Sequence, residues 1–299
     1  MKQATKNFLG LKKEFSRIED SDVIVIPFGL EQAVSYGHGT KNGPKAIIDA
    51  SQEVELFDDE MKKEIYREVK ITTIKEIIPK KKIEDALNQL YQVVKDVYEA
   101  EKLPIVFGGE HTLTIGSFRA AKEKFSDLTL LQFDAHADLR DSFEGDKYTH
   151  GGAMRRSLEL GENFNLVQVG IRNISNEPSE GSEFSFLEKN KKRIKTFWAR
   201  EMKEWKIEEI VSSCDKNVYL TFDVDAFDSG IMPSTGTPEP GGLSWYDALD
   251  IIKEVAKKKK IIGIDFVELS PIKNLSAPDF MVAKLIYKII GYIFETRRK

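Results

Sequence analysis

A pattern of carboxylates and an imidazole follows one strongly apolar segment of the chain. The segment LTLLQF runs directly into DAHADLR, so Asp134, His136 and Asp138 stand at positions i, i+2 and i+4. In an extended chain alternate side chains point to the same side, so we expect these three groups to converge within a few ångströms. Two carboxylates and an imidazole held this close predict a cation site.

Two further apolar segments end in residues of the same kinds. VYLTF is followed by DVDAFD, which places Asp223 and Asp225 on one side of the chain. PIVF ends in GGEH, where the glycines permit close approach of the backbone and His111 projects at the strand end. If the three segments are parallel strands, their carboxyl ends form the edge at which open α/β sheets bind ligands.

Four aspartates and two histidines at one edge favour a pair of divalent cations. Crowded carboxylates raise one another's pKa unless a multivalent cation compensates them. Oxygen ligands with a minority of imidazole suit Mn²⁺, and six ligands are too many for one tetrahedral zinc. Two metals with a bridging water would supply hydroxide at neutral pH, so the predicted reaction is hydrolysis. Each motif alone is more often a cap, a turn or a single-metal pair, so the prediction depends on their combination.

The elements that position these residues are predicted to be strands of a parallel sheet. Six runs are apolar throughout rather than alternating, as expected of strands buried on both faces. They are Val23 to Phe28, Ile105 to Phe107, Leu128 to Phe133, Leu166 to Ile171, Val218 to Phe222 and Ile261 to Phe266. With helices between them, they predict a three-layer α/β/α sandwich with a mostly parallel central sheet. No linker or repeat divides the sequence, so residues 1–299 are predicted to form a single α/β domain.

Three helices are predicted from spacing and capping. Apolar residues recur at helical spacing from Ile83 to Val97, so one stripe of that helix should pack onto the sheet. Ser244 is a candidate N-cap with Asp247 three residues later, and lysines end this helix. The segment Asp279 to Arg298 alternates apolar and basic residues and resembles an amphipathic closing helix.

Composition excludes several classes of protein. With 45 Lys plus Arg, 49 Asp plus Glu and a net charge of −4, neither a nucleic-acid binder nor an anionic-membrane binder is expected. The single cysteine, Cys214, excludes an intramolecular disulfide framework and favours a cytoplasmic protein. Because Lys284 and Lys288 interrupt the apolar stretch from Phe280 to Phe294, no membrane span is predicted.

Five motifs together resemble the ureohydrolase family, the arginases and agmatinases. They are GGEHTLTIG, FDAHADLRDSF, TFDVDAFD, STGTPEPGGLSW and DFVELSP, in the order and at the spacing of that family. The resemblance implies an arginase-like fold, two Mn²⁺ ions per subunit and hydrolysis of a small cationic guanidino substrate to urea and an amine. It also implies a homo-trimer or homo-hexamer.

The resemblance assigns roles to individual residues. One metal would be held by His111, Asp134, Asp138 and Asp223, and the other by Asp134, His136, Asp223 and Asp225. His150 matches the family's proton-shuttling histidine, and Glu268 matches the carboxylate that grips the guanidinium. Asp138 would also take a proton from the attacking water. Without the resemblance, His150 is explained as an ordinary loop histidine and Glu268 as a strand-end ion pair.

The substrate is predicted to be agmatine rather than arginine. Arginases carry an asparagine in the region where this chain has Arg140, and an aspartate where it has Ser175. Both departures count against arginine. DAHADLRD, the spacing of 14 residues from His136 to His150 and the ending AKLIYKIIGYIF look closest to microbial agmatinases.

Several alternatives stay open at the level of the sequence. Aminopropylagmatine, guanidinobutyrate, formimidoylglutamate and guanidine could replace agmatine, and Arg140, Asn173 and Glu177 are neighbours of the motifs that could bind the substrate's tail. Thr237 resembles a family loop that lines the pocket, and His38 lies either at the pocket mouth or in a structural turn. A regulatory protein on the same fold is another alternative. A zinc deacetylase is disfavoured because no two histidines are adjacent.

Overall fold

Eight parallel strands form the central sheet. The computed structural model describes residues 1–33 and 36–297. The strands are β1 (Val23–Phe28), β2 (Phe57–Asp58), β3 (Lys63–Glu64), β4 (Ile71–Thr73), β5 (Leu103–Gly108), β6 (Leu128–Phe133), β7 (Phe164–Ile171), β8 (Ile194–Trp198), β9 (Asn217–Asp223) and β10 (Lys260–Val267). Their order in the sheet is β4-β1-β5-β10-β9-β6-β7-β8, and β2 and β3 form a separate antiparallel pair.

Helices cover both faces of this sheet. In the described part of the chain they are α1 (Gly43–Ala50), α2 (Ile83–Glu99), α3 (Thr114–Lys124), α4 (Ala153–Leu158), α5 (Glu183–Lys189), α6 (Ile207–Ser213), α7 (Trp245–Lys258) and α8 (Ala277–Arg297). Successive residues of β1 enter different cores, Val23 and Val25 on one face and Ile24 and Ile26 on the other. Helices α1, α6, α7 and α8 pack on the first face, and α2, α3 and α4 on the second. The predicted three-layer α/β/α architecture is therefore confirmed.

The six predicted strands are all present, with ends within two residues of the expected positions. The sequence analysis missed the two edge strands, β4 and β8. Both mix apolar residues with threonine, and β8 also carries the exposed Lys195. β4 is fully buried but is only three residues long and two of them are threonines, so it offers no apolar run, whereas β8 has part of its side chains exposed.

The predicted capping of α7 is present. The Ser244 side chain accepts a hydrogen bond from the Asp247 amide, and the Asp247 carboxylate accepts one from the Ser244 amide. This reciprocal pair satisfies two amides that the first turn of a helix leaves without partners.

The prediction that the last helix is amphipathic was wrong. Almost every residue of α8 from Val282 to Phe294 is buried, including Lys288, which is only 5% exposed. The Lys288 ammonium lies 3.0 Å from Asp58 and 3.1 Å from Glu60, so its charge is compensated inside the protein. Arg298, the predicted last residue of this helix, lies outside the described residues. Among the helices described, none is both long enough and apolar enough to cross a bilayer.

Replacing Lys288 with methionine is expected to lower the free energy of unfolding by about 3 kcal/mol, because it leaves the fully buried Asp58 carboxylate without its cation. Urea denaturation would measure the change. Lys45→Ala is the matched control, since Lys45 pairs with Asp49 at the surface. A Lys288→Met loss no larger than that of Lys45→Ala would contradict the prediction.

Candidate metal centre and active site

Four neighbouring strands deliver the predicted site residues to one edge of the sheet. In the order β5-β10-β9-β6, the carboxyl ends of these strands lead to His111, Glu268, Asp223 and Asp134. Asp225 follows β9 in a short 3-10 helix, and His111 begins another. The six predicted metal ligands therefore meet because strands that are distant in sequence are adjacent in the sheet.

The extended-chain argument for the segment after β6 is only partly correct. Strand β6 ends at Phe133, and Asp138 adopts a left-handed backbone conformation with φ of 53°. Glu268, just beyond β10, does the same with φ of 64°. Such conformations cost non-glycine residues about 1–3 kcal/mol and cluster at functional sites.

A first cluster of ligand atoms surrounds His111. Its Nδ1 atom lies 3.1 Å from Asp134 Oδ2, 3.0 Å from Asp138 Oδ2 and 3.4 Å from Asp223 Oδ2. No partner among the described residues meets Nδ1 with hydrogen-bond geometry, although the ring is fully buried. The other ring nitrogen, Nε2, lies 2.8 Å from the Thr221 hydroxyl. A buried nitrogen facing three carboxylates, with its opposite nitrogen engaged, is the arrangement of a metal-binding histidine.

A second cluster is built around His136. Its Nδ1 atom lies 2.9 Å from Asp225 Oδ2 and 3.7 Å from Asp134 Oδ1. The two oxygens of Asp134 thus face different clusters. The ligand atoms of His111, Asp134 and Asp223 lie within 4.8 Å of one another, as do those of Asp134, His136 and Asp225. Either group could hold a metal ion, and the donor set fits hard-to-borderline divalent ions.

The charges in these clusters are unfavourable without a cation. Burial and the neighbouring Asp134 raise the pKa of Asp138 to about 7. Burial, Asp225 and Asp134 hold the pKa of Asp223 well above its usual range. Burial would lower the pKa of His136, but Asp225 and Asp134 raise it to about 12. A divalent cation would relieve the repulsion between the carboxylates, so the residues present fit a metal centre.

His150 and Glu268 lie beside these clusters. The His150 Nδ1 atom is 2.5 Å from the carbonyl oxygen of Ala33. Burial and the positive charges of His136 and His111 lower the pKa of His150, which favours the neutral ring. Since a carbonyl oxygen can only accept, Nδ1 carries the proton and Nε2 is the unprotonated nitrogen of the neutral ring. Glu268 accepts a hydrogen bond of 2.7 Å from the His111 amide, and burial raises its pKa to about 8.

These groups line a cavity of about 230 Å³. Its lining comprises Tyr36, His111, His136, Asp138, Arg140, Phe143, His150, Gly151, Asn173, Glu183, Asp223, Asp225, Gly236, Thr237, Glu239 and Glu268. Thr237, Arg140 and Asn173 therefore contact the cavity, as the sequence analysis suggested for them. Glu177 instead caps a short helix, and the exposed His38 uses its carbonyl to accept from Ser270.

Besides two glycines, Gly151 and Gly236, the sequence analysis missed four residues of the cavity wall. Two of them, Tyr36 and Phe143, supply aromatic surface. Glu239 belongs to the STGTPEPGG motif and accepts a hydrogen bond of 2.5 Å from Asn173. Glu183 accepts bonds of 2.7 Å from the amides of Leu139 and Ser175, so it joins the two loops in which substrate recognition was expected. Glu239 and Phe143 lay inside quoted motifs without being singled out, and no spacing pattern pointed to Tyr36 or Glu183.

Comparison with known proteins identifies the family. The arginase family model matches residues 21–291. This chain belongs to the arginase family. N(1)-aminopropylagmatine ureohydrolase of Synechocystis sp. is 37% identical, with 94% of this chain and 92% of that relative covered. Agmatinase of Pyrococcus horikoshii is 31% identical, with 92% and 93% covered.

Solved structures support the same assignment. The agmatine ureohydrolase of Thermoplasma volcanium superposes with a TM-score of 0.86 at 26% identity, covering 99% of this chain and 96% of that one. The arginase of Bacillus subtilis, at 21% identity and a TM-score of 0.75, shares the fold. This arginase-family protein is therefore a hydrolase with the predicted arginase-like fold.

The metal-free form of this arginase-family enzyme is expected to lose stability as the pH rises from about 5 to about 8. The pKa of Asp138 is raised to about 7 and that of Glu268 to about 8, so folding favours their protonated forms. Their contribution to stability is fully present below the pKa values of the unfolded chain. It is lost as the pH rises through the pKa values of the folded protein. The melting temperature of chelator-treated protein should fall across this range, and less steeply for Glu268→Gln. A melting temperature that rises would contradict the assignment.

Proposed function

We propose that this chain is a binuclear manganese ureohydrolase that releases urea from a guanidinobutyl amine. The observation that carries the proposal is the division of the Asp134 oxygens between the His111 and His136 clusters, beside the cavity that contains Glu268 and His150. His111, Asp134, Asp138 and Asp223 would hold one Mn²⁺ ion, and Asp134, His136, Asp223 and Asp225 the other. Two such ions would lower the pKa of a water molecule enough to supply hydroxide near neutral pH.

The protein residues have distinct roles in this proposal. Glu268 binds the planar guanidinium, whose positive charge would bring the carboxylate's raised pKa down and keep it ionised. Asp138 accepts the proton released when water adds to the guanidino carbon. The bond from that carbon to the alkyl-bearing nitrogen then breaks, giving urea. His150 carries a proton on its Nε2 atom to the departing amine.

The candidate substrates differ in the tail, the part of the molecule beyond the guanidino group. The first candidate is N1-aminopropylagmatine, because relatives of that name are 37% and 33% identical over more than nine-tenths of this chain. Agmatine is the second candidate, favoured by the sequence motifs and by the agmatinase relatives. Both tails are cationic, and the carboxylates of Glu183 and Glu239 in the cavity wall supply the opposite charge.

Urea release by manganese-loaded protein tests this proposal. The panel is N1-aminopropylagmatine, agmatine, arginine, guanidinobutyrate and guanidine, with Asp134→Ala as the blank. Either of the first two should exceed arginine in kcat/KM by at least about tenfold, and their ratio decides between the two candidates. Protein that binds two manganese ions but releases no urea from any of them would redirect the search to other amidines, such as formimidoylglutamate. Protein without bound metal or activity would favour a regulatory role.

A further inference from the structure

A row of polar side chains, two fully buried and one half-buried, crosses three neighbouring strands behind Asp134. The Thr196 hydroxyl on β8 donates to Oε1 of Gln168 on β7 over 2.9 Å. Gln168 Nε2 donates to Oε1 of Gln132 on β6 over 2.7 Å. Gln132 Nε2 in turn donates to Oδ2 of Asp134 over 2.7 Å. We call Thr196, Gln168 and Gln132 the amide relay; none of them lines the cavity.

The direction of the amide relay is fixed by the backbone. Gln132 Nε2 also lies 3.2 Å from the carbonyl oxygen of His136. Gln168 Nε2 also lies 2.9 Å from the carbonyl oxygen of Ala137. A carbonyl oxygen can only accept, so both amide nitrogens must face these groups. The relay therefore delivers an N–H to Asp134. If the side-chain amide of either glutamine were rotated by half a turn, its oxygen would face two acceptor oxygens.

Stability alone gives little reason for two glutamines at these positions. Both are fully buried, and their strands are otherwise mostly apolar. A buried amide costs free energy unless its hydrogen bonds are made, and apolar side chains fill sheet interiors without that cost. The amide relay nevertheless makes a bond at every step, and it ends on a carboxylate shared by both ligand clusters.

We propose that the amide relay positions Asp134 as the ligand shared by the two metal ions; this rests on the metal centre proposed above. Asp134 Oδ1 accepts from the His136 amide over 2.6 Å, and Oδ2 accepts from Gln132 over 2.7 Å. Each oxygen thus has one lone pair engaged and one left for a cation. The two N–H donors hold the carboxylate plane so that Oδ2 faces His111 and Oδ1 faces His136. The three relay members are positioning residues.

The dissociation constant for Mn²⁺, measured by competition with a fluorescent chelator, tests this proposal. Gln132→Met removes the donor with little change in shape and should weaken binding by about 10- to 100-fold. Gln168→Met should have a smaller effect and Thr196→Val the smallest, following distance from Asp134. Excess Mn²⁺ should restore much of the urea release of Gln132→Met. Thr129→Val is the control, since this buried β6 hydroxyl bonds Asp215 at the other end of the strand; its Mn²⁺ affinity should stay within about twofold of wild type.

Several outcomes would overturn the proposal. Folded Gln132→Met and Gln168→Met proteins with wild-type affinity for Mn²⁺ would do so, as would equal losses in Thr129→Val. If Gln132→Met does not fold, the Mn²⁺ affinity of Gln168→Met tests the proposal instead, because Gln168 does not contact Asp134. Wild-type protein that binds Mn²⁺ but releases no urea would refute the proposed function and leave the relay standing. Wild-type protein that binds no Mn²⁺ would refute both.

Discussion

Replacing Asp134 with alanine is expected to abolish binding of both metal ions and to reduce urea release at least about 10³-fold, or about 4 kcal/mol of activation free energy. Its two oxygens are 3.1 Å from His111 Nδ1 and 3.7 Å from His136 Nδ1, so one substitution removes a donor from both clusters. Metal content by mass spectrometry of the desalted protein, together with urea release at saturating substrate, would measure the effect.

Two companion variants make this result specific. Asp134→Asn keeps an acceptor for the His136 amide and should still lose metal. This variant therefore distinguishes the effect of the lost charge from any effect of a disturbed local structure. Asp250→Ala, an exposed aspartate on α7, should retain both metal and activity. If Asp134→Ala keeps two manganese ions per chain, the proposed metal centre is wrong.

Changing Glu268 to glutamine is expected to lower kcat/KM by about 30- to 5,000-fold without loss of metal. The glutamine oxygen can still accept from the His111 amide, so the local structure should survive. The negative charge that pairs with the guanidinium is lost, and removing one partner of a buried charge pair costs roughly 2–5 kcal/mol. Because this interaction is made with the bound substrate, the change should be carried largely by KM.

Steady-state kinetics and metal analysis on the same preparation would decide this prediction. Glu55→Gln, an exposed position outside the cavity lining, is a control for the substitution itself. A Glu268→Gln enzyme with unchanged KM would show that Glu268 does not bind the guanidino group. Loss of metal in this variant would instead mean that Glu268 acts through its bond to His111.

The positions of the candidate ligands followed from strand periodicity. An apolar run that ends in alternating acidic and imidazole groups must present them at the strand's carboxyl end, as for Asp134 after β6 and Asp223 at the end of β9. The same reasoning identified β1, β5, β7 and β10, because strands buried on both faces need uninterrupted apolar sequence. The same reasoning did not find β4, which is buried but short and rich in threonine, or β8, whose side chains are partly exposed.

Other features depended on contacts between distant parts of the chain. The burial of α8 on all sides arises from packing against α1 and α7 and from the pairing of Lys288 with Asp58. The spacing of apolar residues within α8 does not indicate either contact. The cavity wall also depends on non-local contacts, because Glu183 can bond both loops only when the fold has brought those loops together. The left-handed backbone of Asp138 is likewise imposed by the surrounding structure.

By itself, the sequence determined the parallel α/β architecture, the family resemblance and the six candidate metal ligands, because residue type and spacing are local properties. Only the tertiary structure decided that β5, β10, β9 and β6 lie side by side, so that residues as much as 157 positions apart, such as His111 and Glu268, meet at one edge. It alone also placed Gln132 and Gln168 behind Asp134, since bonds between strands depend on register and order. Those contacts are non-local, and no pattern within a single segment encodes them.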